Sequence, residues 1–143
     1  MTIEQLSVFI ENKPGQLVEA LETLANAGVD LRALSLADTA DFGILRIIVD
    51  KPTEAMDILQ AGGYLVRTNQ VLPVSVGDKP GGLASVLRIL ANSDIDVEYT
   101  YAFVAHAAEK AYVIIRVADN DFAVKVLKDN AVPLLSREEM FGI

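Results

Sequence analysis

Leu6, Val8 and Ile10 alternate with Ser7, Phe9 and Glu11, the period-two pattern of a half-buried strand. The strand runs into a turn at Asn12-Lys13-Pro14-Gly15. Beyond it Leu17, Val18, Leu21, Leu24 and Ala25 recur at three and four residues, as one apolar helix face does. Asn26-Ala27-Gly28 ends this helix, because glycine accepts the left-handed conformation found past a helix C-terminus. A second strand is expected at about 29–37, then a short polar loop Asp38-Thr39-Ala40-Asp41, then a buried strand at Ile44–Val49 marked by its β-branched residues. Asp50-Lys51-Pro52-Thr53 carries cap chemistry for a second helix with Ala55, Met56 and Leu59 inward. Gly62-Gly63 stops it, and a short extended segment follows at Tyr64-Leu65-Val66.

The same succession begins again 66 residues later. Asn12-Lys13-Pro14-Gly15-Gln16-Leu17 returns as Asp78-Lys79-Pro80-Gly81-Gly82-Leu83, and between 12–30 and 78–96 nine of nineteen positions are identical. The matches mix apolar spacing with turn residues, which marks duplication and not shared composition. Leu72, Val74 and Val76 repeat the first strand, and Leu83, Val86, Leu87, Leu90 and Ala91 repeat the helix face. Asp94 stands where Gly28 does. Strands are expected near 95–104 and 111–118, joined by a loop two residues longer than in the first copy, since Val49 matches Val117 at an offset of 68. Asp119-Asn120-Asp121 opens the second helix of this copy, with Phe122, Ala123, Val126 and Leu127 on its face, Asn130 ends it, and Val132-Pro133-Leu134-Leu135 is extended. Each copy therefore reads βαββαβ, giving an α+β chain of two ferredoxin-like units at 1–70 and 71–143, with antiparallel sheets packed side by side.

Units of this size bury a low fraction of their surface, so each is expected to pack on its copy and on a second chain as a homodimer. An apolar content of 52% and a mean hydropathy of +0.34 point the same way. The net charge is −8, with five basic and ten acidic residues over 1–70 and seven and ten over 71–143. Without clustered Lys and Arg, a nucleic acid is not an expected partner. The chain has no cysteine, which excludes disulfides, thiolate zinc sites and Cys nucleophiles. Its opening, Met1-Thr2-Ile3-Glu4-Gln5, does not read as a signal peptide, and no apolar run reaches the ~20 residues of a membrane helix, so a cytoplasmic protein without membrane partners is expected.

The chemistry concentrates at the duplicated corner. Pro14 and Pro80 suit a first helical turn, where a missing amide hydrogen costs nothing, and Gly15 and Gly81 have no Cβ to block a ligand. First-turn amides and the helix dipole favour a carboxylate-sized anion there, and Asn12 or Asp78 stands in place to read an amino group or hydroxyl. The same turn is also how ordinary proteins lead a strand into a helix, and on the residues alone both readings are open. His106, the single histidine, reads as an exposed loop residue, and no triad assembles around it. Asp119-Asn120-Asp121 lacks the Gly and bidentate Glu of a calcium loop. Tyr99, Tyr101, Phe103 and Tyr112 are expected to pack against the other copy, since the acidic field disfavours base stacking. Arg32, Arg46, Arg88 and Arg116 read as solvated or surface-paired. No catalytic residue, metal ligand or cofactor is expected.

The pattern (Asp or Asn)-x-Pro-Gly-x-Leu, a Leu-rich helix, and Ala-Asn or Ala-Gly-(Val or Ile)-Asp opening the second strand stands at 12–31 and again at 78–97. It resembles the ACT domain, a regulatory βαββαβ module of amino-acid metabolism, and the whole chain is similar to tandem ACT proteins without a catalytic domain. The resemblance implies a non-catalytic sensor that binds a free amino acid at an interface between ACT units and reports to a partner enzyme of amino-acid metabolism. It implies a ligand held by the strand-to-helix turn of one unit and the start of the second strand of its neighbour. In this sequence those positions are Asn12, Lys13, Pro14, Gly15, Gln16, Leu17 and Asp30, with Asp78, Lys79, Pro80, Gly81, Gly82, Leu83 and Asp96 in the copy. Serine-sensing members place a His and an Asn before the turn and an Asn at the second strand. Here Ile10 and Val76 stand at the His position, Asn12 and Asp78 before the turn, and Asp30 and Asp96 at the strand. The expected ligand is thus an apolar amino acid with its side chain against Ile10, Val76 or Leu17. Two rivals are a ligand-free adaptor subunit and an acylphosphatase-like enzyme, the latter disfavoured because Lys13 and Lys79 are the only bases at the turn.

Overall fold

A computed structural model describes residues 2–39, 41–103 and 110–142. The elements are β1 (Ile3–Glu11), α1 (Gln16–Asn26), β2 (Leu31–Asp38), β3 (Phe42–Val49), α2 (Pro52–Ala61), β4 (Leu65–Gly77), α3 (Gly82–Asn92), β5 (Tyr99–Ala102), β6 (Lys110–Arg116), α4 (Asn120–Asp129) and α5 (Arg137–Gly142). The chain divides into an N-terminal unit, Glu4–Asn69, and a C-terminal unit of Gln70–Ile143 with Met1–Ile3. His106 and the loop around it lie outside the described residues.

In the N-terminal unit the strand order is β2-β3-β1-β4. Register follows the alternation: Leu6 lies opposite Ile47 and Val8 opposite Leu45, while Leu34 and Leu36 of β2 meet the same Ile47 and Leu45. One face of the sheet thus carries Leu6, Val8, Ile10, Leu45, Ile47 and Val49, and these pack with Ala20 and Leu24 of α1 and Ala55 and Leu59 of α2. Burying each of the larger side chains is worth roughly 1.5–3 kcal/mol, which is why the helices lie on this face. In the C-terminal unit the order is β4-β6-β5, with Leu72 opposite Ile115 and Val74 opposite Val113. The equivalent core gathers Leu72, Val74, Val76, Val86, Leu90, Ala123 and Leu127. The N-terminal unit thus has the βαββαβ plan read from the sequence, and the C-terminal unit has the same order with its last strand reduced.

Three details differ from the expected elements. The extended segment at 64–66 and the first strand of the second copy are one strand, β4, which takes in residues 67–70 as well. The fourth strand of the C-terminal unit shrinks to a single bridge between Val74 and Leu134, held by Ser75 N–H to the Pro133 carbonyl at 3.0 Å and Leu135 N–H to the Pro73 carbonyl at 2.9 Å. Pro133 has no N–H to extend a ladder. Past it, α5 was not foreseen, yet its start is a capping box: Glu139 N–H donates to the Ser136 hydroxyl at 3.1 Å and Ser136 N–H to the Glu139 carboxylate at 3.3 Å.

The helix ends show what duplication constrains. Gly28 has φ 73° and its equivalent Asp94 has φ 60°; Gly63 has φ 90° and its equivalent Ala131 has φ 58°. Aspartate tolerates the left-handed region better than alanine, whose Cβ crowds the following carbonyl. Replacing Ala131 by Gly should therefore stabilise the protein by about 0.5–1 kcal/mol. Urea denaturation reads this directly, and an unchanged or lower midpoint would contradict the strain assigned to Ala131.

Candidate functional site

The duplicated corner is a type II turn followed by a helix. Gln16 N–H donates to the Lys13 carbonyl at 3.3 Å and Gly82 N–H to the Lys79 carbonyl at 3.0 Å. Pro14 and Pro80 occupy the second turn position, and Gly15 (φ 90°, ψ −17°) and Gly81 (φ 85°, ψ −2°) the third, where a type II turn requires positive φ. The prolines therefore lie just outside the helices, two positions before the first helical residue, and the glycines are the N-caps. A glycine cap offers no side chain to the first-turn amides, in contrast with α4, where the Asp119 carboxylate accepts from Phe122 N–H at 3.1 Å. Beyond the adjacent residues, no heavy atom of the described residues lies within 4 Å of where a Cβ on Gly15 or Gly81 would sit.

Beside the first corner lies a cavity of about 530 Å³, within the range of small-molecule sites. Its apolar wall is Ile10, Leu17 and Leu36, and its polar rim includes Asn12, Lys13 and Asp38. Ile10 comes from the end of β1 and Leu17 from the first turn of α1. Leu36 and Asp38 come from the end of β2, brought there because Asp38 and Ile10 both lie opposite Gly43 on β3. The Asn12 amide donates to the Asp38 carboxylate at 2.8 Å and to the Thr39 carbonyl at 3.1 Å, so it fastens the turn to the β2–β3 connection. A Cβ on Gly43 would sit 3.2 Å from Leu36 Cδ1 and 3.4 Å from Asn12 Oδ1, which leaves this clasp its room. Lys13 pairs with Glu11 at 3.1 Å, both well exposed.

On the other side of the α1 start is a smaller, polar cavity of about 240 Å³ lined by Gln16, Glu19 and Tyr64 among others. Burial pushes the Tyr64 hydroxyl above its ordinary value, and the Glu19 charge adds to the rise. The Glu11 and Glu19 carboxylates on the cavity wall disfavour an anion there.

Asn12, Lys13, Pro14 and Leu17 thus line the larger cavity with Gly15 between them, whereas Gln16 lines the smaller one. Asp30 lies beyond the far end of α1, a helix of 11 residues and therefore about 16 Å long. There its N–H donates to the Asp50 carboxylate at 2.9 Å and its own carboxylate lies 3.6 Å from Arg32. Asp96 is at the corresponding end of the C-terminal unit, in a cavity of about 280 Å³ with Asp94, Glu98 and Asp119. Sequence reasoning missed Leu36, Asp38 and Gly43. The signal was the hairpin itself: the polar loop starting at Asp38 fixes which residues of the two strands face each other across it.

The second corner is built differently. A Cβ on Gly82 would come 1.9 Å from the Gly77 carbonyl oxygen, so strand end and helix start meet backbone to backbone. In the first copy the same positions carry the side chains of Glu11 and Gln16. Gly82→Ala should cost more than about 2 kcal/mol, since the obstacle is main chain, while Gln16→Ala should stay within roughly 0.5 kcal/mol. Equal losses in chemical denaturation of the two variants would refute this difference.

Comparison with known proteins bears on the whole chain. No helix among the described residues is long and apolar enough to cross a membrane. No curated protein sequence matches the chain. Among solved structures, a protein from Bacteroides thetaiotaomicron is 38% identical, with a TM-score of 0.91 over 100% of this chain and 98% of that one. The regulatory subunit of aspartate kinase from Thermus thermophilus shares the fold at 17% identity and a TM-score of 0.66, over 88% of this chain and 91% of that one. The equivalent subunit from Thermus flavus gives 18% and 0.64, over 87% and 88%. A family model described as an ACT domain pair matches residues 1–142, and the chain belongs to that family.

Proposed function

We infer that this chain is a non-catalytic regulatory protein that binds a free apolar amino acid at its strand-to-helix corner and reports the level of that metabolite to an enzyme carried on another chain. The observation that carries the reading is the cavity lined by Ile10–Pro14, Leu17 and Leu36–Asp38, which sets an apolar wall beside an uncapped helix start and a carboxylate rim. Those three features match the side chain, carboxylate and ammonium group of one zwitterion. Membership of a family of regulatory modules supports the role, as do aspartate kinase regulatory subunits with the same fold. Exposed Val18 and Leu34, at 53% and 50%, support assembly as a homodimer; a single monomeric species in sedimentation at micromolar concentration would contradict that.

Binding must bias one conformation over another to be read by a partner, so the ligand has to favour the state it binds. Calorimetry of the native protein against the twenty amino acids tests the reading, with at least one apolar amino acid expected to bind below about 1 mM. At a hundredfold excess over Kd, the same ligand should stabilise by about 2.7 kcal/mol, visible as a raised melting temperature. No binding and no thermal shift with any amino acid would leave the ligand-free adaptor as the function.

A further inference from the structure

We propose that amino-acid recognition is confined to the N-terminal unit, where Asp38 takes the ligand's ammonium group, so that each chain holds one zwitterion with an aliphatic side chain. This rests on the amino-acid-binding reading above and adds to it a residue, a ligand class and a stoichiometry.

Duplication alone would give two equivalent sites. Strand register shows that it does not. Leu36 lies opposite Leu45, and Ala102 lies opposite Val113, so Ala102 is the equivalent of Leu36. Gly43 lies opposite Ile10, and Ala111 opposite Val76, so Ala111 is the equivalent of Gly43. Two residues past Leu36 stands Asp38; two past Ala102 the sequence has Val104. Asn12, the donor of the clasp, is replaced by Asp78, which as a carboxylate has no proton to donate. At the aligned sequence positions Leu36 of the apolar wall, the acceptor Asp38 and the clasp donor Asn12 are thus replaced by Ala102, Val104 and Asp78, while Leu17 is kept as Leu83. There the Gly77 carbonyl also crowds the helix start, where a ligand carboxylate would need the amides.

In the N-terminal unit the same positions complement a zwitterion. Asp38 accepts one hydrogen bond, from Asn12, among the described residues, and a carboxylate offers about four lone-pair sites. The clasp holds its charge at the rim while leaving capacity for an ammonium group. The α1 amides supply the opposite pole, and Ile10, Leu17 and Leu36 receive an unbranched or branched aliphatic chain between them. Asp30, beyond the far end of α1 and beside Arg32, does not reach the cavity of its own unit.

Titration calorimetry with leucine, isoleucine, valine and methionine on the intact chain tests the proposal. One ligand per chain is expected. Asp38→Asn, which keeps the oxygen facing Asn12, should weaken binding roughly 10–100-fold, the worth of a hydrogen bond to a charged group. Asp30→Asn, Asp78→Asn and Asp96→Asn should change it less than twofold. Leu36→Arg, at a half-exposed position that folding tolerates, should abolish binding with the melting temperature of the free protein kept. Leucine's analogues 4-methylpentanoate and 3-methylbutylamine should each bind far more weakly than leucine. Two ligands per chain, unchanged affinity in Asp38→Asn, or an equal loss in Asp96→Asn would overturn the proposal while leaving amino-acid binding intact. If only a polar amino acid binds, the aliphatic class is overturned; if none of the twenty binds, the reading beneath it falls too.

Discussion

A turn that no side chain can close governs this protein. The type II geometry at Lys13–Gln16 and Lys79–Gly82 demands positive φ at its third residue, and Gly15 and Gly81 provide it at φ 90° and 85°. Because that residue is also the helix N-cap, the helix begins without the Ser, Thr, Asp or Asn that would ordinarily occupy its first amides. Pro at the preceding position pre-sets the chain for the turn and makes the corner rigid. The same constraint that joins strand to helix therefore leaves the helix start without a side-chain cap, which is the feature the proposed carboxylate site uses.

What surrounds the corner decides what it can do. In the N-terminal unit β2 and β3 run to Asp38 and Phe42, and their register places Leu36 and Asp38 beside the turn. The Asn12 clasp then ties the loop after β1 to the loop after β2 at the rim of the cavity. In the C-terminal unit the turn is retained and its neighbours have changed, with Gly77 and Gly82 in backbone contact. Duplication preserved the geometry that folding needs and released the residues around it.

The fold was legible because its signals are local. Period-two and period-3.6 patterns located the strands and helices, and the 66-residue offset set Asp94 where Gly28 stands, a position it fills at φ 60°. Two elements escaped for identifiable reasons. Val132–Leu135 is rich in strand formers, but Pro133 reduces it to one bridge. The Ser136–Glu139 capping box was present and unread, and it starts α5. The site was half legible. Asn12 to Leu17 are contiguous and announce themselves, whereas Leu36, Asp38 and Gly43 arrive through cross-strand register, which depends on where the hairpin turns. Asp30 was expected near the far end of α1, able to meet a ligand only from a neighbouring unit, and in the folded unit it does lie a helix length from its own corner.

The most direct measurement of the central claim is amide chemical-shift perturbation in the 15N-labelled chain on adding leucine. The account predicts that the Leu17 amide and the Asn12 side-chain amide shift in step with saturation, while the Leu83 amide, at the other corner, stays where it is. Shifts confined to the neighbourhood of Asp30 and Asp96, or equal shifts at Leu17 and Leu83, would contradict it.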